Sequence, residues 1–192
     1  MRRQLVPALA VFLFFTLLVG VVYPLAVTGV ARIAFPSKSQ GSLVRERGVV
    51  VGSRLIGQAF SGPRYFQPRP SAAGAGYDAT ASAASNLGPS NSLLLADVRA
   101  RVAAYRRLNG LAANTPVPVD AVTASASGLD PEISPANARL QAPRVAGARN
   151  LPLVRVLALV RAHTDGCSLD FLGEPGVNVL ELNLALDGIK DR

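Results

Sequence analysis

Residues 5–31 read LVPALAVFLFFTLLVGVVYPLAVTGVA, and this run decides the architecture of the chain. It contains no charged side chain, and its polar groups are Thr16, Tyr23 and Thr28. A bilayer core is crossed by about 20 apolar residues, so the run is long enough to span it with some to spare. A secretory signal has a shorter apolar stretch, about 7–15 residues, although Arg2, Arg3 and a Gly29-Val30-Ala31 cleavage site would suit one. An uncleaved anchor is therefore the reading adopted, with Pro24 kinking or ending the span. Positive charge does not orient it. Arg2 and Arg3 stand on one side, and Arg32, Lys38, Arg45 and Arg47 on the other.

Working outward gives a head at 1–4, the transmembrane helix at 5–31, a linker at 32–40 and a soluble domain at 41–192. That domain reads as α+β, so the fold class is an α+β soluble domain anchored by one N-terminal transmembrane helix. Residues 42–60 suggest short strands around Val49-Val50-Val51 and Leu55-Ile56, with a turn at Gly52-Ser53. Residues 61–91 are irregular and rich in Gly, Pro, Ser and Asn, with an aromatic pair at Tyr65-Phe66. Ser90-Asn91 offers a cap for a helix to about Leu108, ended by Asn109-Gly110. Ser134-Pro135 makes an N-cap and first-turn pair for a helix through Arg149. A further helix starts at Leu151-Pro152 and ends near His163. An apolar element at 177–186, whose beginning suits a strand, closes the chain.

The chain has 192 residues and a net charge of +8. Its arginines are scattered without aromatic interleaving or a binding motif, so the reading is a solvated basic surface and no nucleic-acid partner. The two lysines are Lys38 and Lys190, and neither follows a Gly-rich loop, which excludes a P-loop. One histidine, His163, and one cysteine, Cys167, cannot build a typical zinc site. No catalytic residue, no metal and no firmly bound cofactor is assigned. Asp130 and Glu132 are the closest acidic pair of interest, with Asp130 read as a turn residue before Pro131.

These residues resemble one family from end to end, the C subunit of the bacterial Kdp potassium-transporting ATPase. The likeness runs through Tyr23-Pro24, Thr28 and Phe35-Pro36, then GSL at 41–43, Gly52-Ser53, LIGQ at 55–58, Phe60 and Tyr65-Phe66. It continues with RPSA at 69–72, SNLGPSN at 85–91 and VTASASGLDPEIS at 122–134. RVA at 144–146, ARN at 148–150 and VNVLELNLAL at 177–186 complete it. Arg32 departs from an expected glutamine.

The resemblance implies a hetero-oligomeric complex in the bacterial inner membrane. Its partners are a channel-like A subunit that binds potassium, a P-type B subunit that hydrolyses ATP and a small F subunit. Potassium is then transported by the partners, and ATP reaches this chain, if at all, through the complex. The N-terminus would be cytoplasmic and the soluble domain periplasmic or extracellular. The implied role is an accessory subunit that stabilises the A–B assembly and, as a catalytic chaperone, raises the B subunit's affinity for ATP. Two other classes are carried. One is an anchored periplasmic binding or scaffold domain with no pump, the other a secreted enzyme cut after Ala31.

Within this frame Tyr65, Phe66 and Arg69 are candidate interface anchors, with core packing of Phe66 equally open. Asn86 and Asn91 are further candidate partner contacts. Ser125, Ser127 and Gly128, with Gln141 downstream, are the candidates for contacting nucleotide. A turn packed by small residues is the favoured reading of 123–128.

Overall fold

A computed structural model describes residues 2–167, 169 and 171–189. The chain divides into two compact units, Met1–Val51 and Gly52–Arg192.

The first unit is built on one long helical run. Helix α1 (Arg2–Leu17) leads through a π-helical segment (Leu18–Val22) into α2 (Tyr23–Ala34). Residues Arg3–Ala34 are long and apolar enough to cross a membrane. Pro24 does not end this run, one of the two outcomes expected of it, and the π segment immediately before it supplies the reason. Proline has no N–H for the carbonyl four residues back, and its ring crowds that carbonyl. Widening the turn relieves both. The Tyr23 N–H reaches back five residues to the Leu18 carbonyl, and Gly20 lies within the widened turn. The helix continues past Ala31 to Ala34, and together with a short α3 (Pro36–Ser39) it occupies most of the stretch 32–40 expected to be a plain linker.

Strands β1 (Leu43–Glu46) and β2 (Val49–Ser53) pair across a two-residue turn, and β2 runs through the boundary between the units. Arg47 and Gly48 both have positive φ, 50° and 84°, as a tight hairpin requires. Leu55-Ile56, expected to be a strand, lies instead in the turn and bend that follow β2.

The second unit follows its caps closely. Helix α4 (Ser92–Asn109) starts at Asn91, whose side chain accepts from the Leu93 N–H, and stops at Gly110 in the left-handed conformation, φ 63°. After β3 (Glu132–Ile133), the Ser134 side chain accepts from the Asn137 N–H and starts α5 (Pro135–Arg149), which stops at left-handed Asn150. Helix α6 (Leu153–Ala162), β4 (Thr164–Asp165), β5 (Gly176–Asn178) and α7 (Val179–Asp187) complete the domain. The sheet order is β3-β5-β4, antiparallel throughout, with Ile133 and Thr164 both opposite Val177.

The core forms where α5 meets α6, α7 and β5. Ala138, Ala142 and Ala146 recur every four residues on α5, and such small side chains let neighbouring elements approach closely. Val156, Val160, Val177, Leu182 and Leu186 fill in around them, all buried. Phe66 joins this cluster with no exposed surface, although it comes from an irregular segment.

Candidate functional site

The segment expected to carry partner contacts begins with a turn, 62–65, that leads into Phe66 and Gln67 and belongs to no sheet. Phe66 is buried and Gln67 half-buried, and their backbone groups need partners, because an unpaired buried amide costs as much as a lost hydrogen bond. Two side-chain amides supply them. Asn183 of α7 accepts from the Phe66 N–H and donates to the Phe66 carbonyl, both at 2.9 Å. Gln141 of α5 does the same for Gln67, at 2.8 and 3.0 Å. Each amide thus takes the place of a neighbouring strand.

Two arginines of α5 extend the clamp. Arg144 donates to the carbonyls of Pro63 at 2.6 Å and Tyr65 at 3.0 Å, and also to Asn109 and Gln141. Arg149 is 3% exposed. It donates to the Arg64 carbonyl and to Asp187, each at 2.7 Å, and its guanidinium lies 5.0 Å from the centroid of the Tyr65 ring. The Tyr65 hydroxyl donates to Asp187 as well, at 3.3 Å. Burial holds the Arg144 guanidinium below its usual range, with the neighbouring Tyr105 opposing the shift. The Tyr105 hydroxyl is pushed up, first by burial and then by the Asp120 carboxylate.

The second half of the loop rests on the Ser125–Gly128 turn. Gly128 has φ 68°, and a Cβ there would lie 2.6 Å from the Ala83 carbonyl oxygen and 2.7 Å from the Ala73 nitrogen. Its carbonyl accepts from the Ser71 hydroxyl at 2.6 Å, while the Ser127 carbonyl accepts from the Ala83 N–H and the Ser82 hydroxyl. The Tyr77 hydroxyl donates to the Arg69 carbonyl, and burial pushes its pKa up to about 12.

This geometry locates each candidate residue. Of the two readings open for Phe66, the structure takes the core, which removes the ring from the surface. Tyr65 stays half-buried between Arg149 and Phe60. Arg69 is paired with Asp130 at 2.7 Å, and its buried Nε has no hydrogen bond. Asn91 caps α4, and exposed Asn86 adopts a left-handed conformation, φ 53°. For the nucleotide candidates, the Ser127 hydroxyl accepts from the Leu129 N–H, and the Ser125 hydroxyl lies 3.4 Å from both the Ser127 hydroxyl and the Asp130 N–H. Gln141 is buried in the clamp on Gln67, and no hydrogen bond ties it to the turn.

Residues that sequence reasoning passed over do most of the positioning. Asn183 was visible as a lone amide in the apolar run VNVLELNLAL, and a polar residue inside an apolar helix is expected to have a buried partner. Arg144 and Arg149 had no such signal beyond their place in the family motifs. Asp120 accepts from the Ser134 N–H and hydroxyl and from Asn137, and so ties the 112–122 linker to the start of α5.

Glu132 has its carboxyl raised above the usual range, first by burial and then by Asp130 and Asp165. Among the described residues, no group of three or more His, Cys, Asp or Glu side chains could hold a metal ion. His163 places Nδ1 2.9 Å from the Leu159 carbonyl, within its own helix end. What the arrangement does chemically is rigidify a loop-bearing surface.

Comparison with known proteins gives one consistent result. A family model described as KdpC, K+-transporting ATPase c chain, matches residues 5–188. A potassium-transporting ATPase KdpC subunit of Mycobacterium tuberculosis is 60% identical over 187 residues, covering 97% of this chain and 99% of the relative. Namesakes from Caulobacter vibrioides and Beijerinckia indica are 58% and 54% identical, each over 97% of this chain and 94% of the relative. The match takes in the apolar helix, the clamped loop and the closing α7 alike, and the chain belongs to the KdpC family of potassium-transporting ATPase subunits.

Proposed function

We propose that this chain is a membrane-anchored accessory subunit that stabilises assembly of a potassium-transporting ATPase. In this role it joins a potassium-binding A subunit to an ATP-hydrolysing B subunit, with a small F subunit alongside. The single observation that carries the reading is the end-to-end family match, which covers anchor and domain together. The internal hydrogen bonding supports it too. The polar groups of the candidate site are spent on holding the chain's own backbone, as suits a rigid docking module rather than a reaction centre. An anchored domain unrelated to a pump is not favoured by these relatives.

The domain lies outside the inner membrane with the N-terminus inside. The chain also acts as a catalytic chaperone, raising the B subunit's affinity for ATP. With the domain external and ATP cytoplasmic, that effect must travel through the helix and the partner subunits as a coupling free energy. Purification in mild detergent tests the main reading: the A and B subunits should accompany the chain, and a solitary chain would overturn it. An alkaline phosphatase fused after Arg192 should be active, and an inactive fusion reverses the topology. ATP affinity of the complex should fall when the chain is removed, and an unchanged value ends the chaperone role.

A further inference from the structure

Outside the clamped loop, the groove between α5 and α6 is the surface whose chemistry points to a partner. It has a volume of about 540 Å3, and its apolar part is made by Pro135, Leu157, Val160 and Pro175. Arg139 of α5 and Arg161 of α6 also line it, both exposed. Among the described residues, neither has an ion pair and no carboxylate lines the groove. Glu132 and Glu174 line a separate cleft that shares Pro175, and Asp165 follows the groove residue Thr164. On the face of α6 beside Leu157, Val154 is 73% exposed and extends the apolar surface.

We infer that this groove docks an acidic segment of a partner subunit, carrying one large apolar side chain between carboxylates. The inference rests on the accessory-subunit reading above. An apolar floor between two guanidiniums that make no ion pair among the described residues is complementary to such a segment in shape and charge. Arginine suits the task because its planar fork binds a carboxylate through two bonds. Membership of a multi-subunit ATPase supplies the partner. A second copy of this chain is the rival occupant, since its own 165–174 stretch is acidic and exposes Leu169 and Phe171. The crosslink below distinguishes the two occupants.

The test uses the full chain expressed with its partner subunits. A photo-crosslinking amino acid replaces Leu157, and the adduct is identified by mass spectrometry. An adduct on an acidic segment of another subunit is expected, and one on a second copy, on lipid or nowhere overturns the inference. In parallel, the Arg139→Glu, Arg161→Glu pair should lower partner recovery after a wash by at least about tenfold. The matched control, Arg99→Glu with Arg107→Glu on exposed positions of α4, removes the same charge and should retain the partners. Equal loss in both pairs, or loss in neither, sinks the groove. Should the glutamate pair lower the melting temperature, Arg139→Ala with Arg161→Ala replaces it, with the same outcomes required. If the unaltered chain recovers no partner, the accessory-subunit reading has failed. If it does and the groove variants do too, only the groove has.

Discussion

Replacing Asn183 by leucine should destabilise the domain far more than its similar size suggests. The side chain is fully buried, and both ends of its amide are bonded to the Phe66 backbone. Leucine leaves a buried N–H and a buried carbonyl without partners, each costing about 1–3 kcal/mol. The added apolar surface returns about 1 kcal/mol at most. A net loss of about 1–5 kcal/mol follows, against a total stability on the order of 5–15 kcal/mol. For a chain of this size that corresponds to a fall of about 10 °C in Tm. The assay is thermal and urea unfolding of the full chain in detergent, followed by circular dichroism.

Asn183→Asp separates the donor from the acceptor. The new carboxyl can still accept from the Phe66 N–H, but it must be protonated to donate to the carbonyl. Burial raises its folded pKa above the unfolded value of about 3.9. Its stabilising contribution is therefore full below that unfolded value and is lost as pH rises through the folded one. A loss below about 1 kcal/mol for Asn183→Leu, or a penalty for Asn183→Asp that grows toward low pH, would refute the clamp as the device that orders the loop.

Gly128→Ala should cost at least about 2 kcal/mol, from left-handed strain and the clash with backbone atoms of Ala73 and Ala83. Limited proteolysis should then cut within 71–83 before any other site. Arg149→Lys should cost about 1–3 kcal/mol despite keeping the charge, because lysine cannot bond the Arg64 carbonyl and Asp187 while covering Tyr65. Urea midpoints compare it with the unaltered chain, and an unchanged midpoint contradicts the fork geometry. Glu132→Gln should raise Tm at pH 7 and leave it unchanged near pH 4. The raised folded pKa means the glutamate contributes most when protonated and loses that contribution as pH climbs. Melting curves at the two pH values decide it.

The sequence alone settled the apolar helix and the helix caps, which depend on local chemistry, although Leu55-Ile56 is a turn and not the expected strand. An uninterrupted apolar run identified the helix long enough for a bilayer. The caps Asn91 and Ser134 and the stops Gly110 and Asn150 mark α4 and α5 because each acts within a few residues of itself. The ordered motifs likewise sufficed for the family. Pro24 does not end the span because a lost hydrogen bond can be absorbed by widening a turn, and only the whole helix reveals that choice. The fate of the aromatic loop lay further out of reach. Residues 61–91 lack the internal burial to order themselves, which correctly implied that something holds them, and an external partner was one candidate. In the tertiary structure, Asn183 and Gln141 stand 117 and 74 residues from the backbone they clamp. Hydrogen bonds at such separations leave no periodicity in the chain, so whether Phe66 faces a partner or the core was decided only when α5 and α7 closed around it.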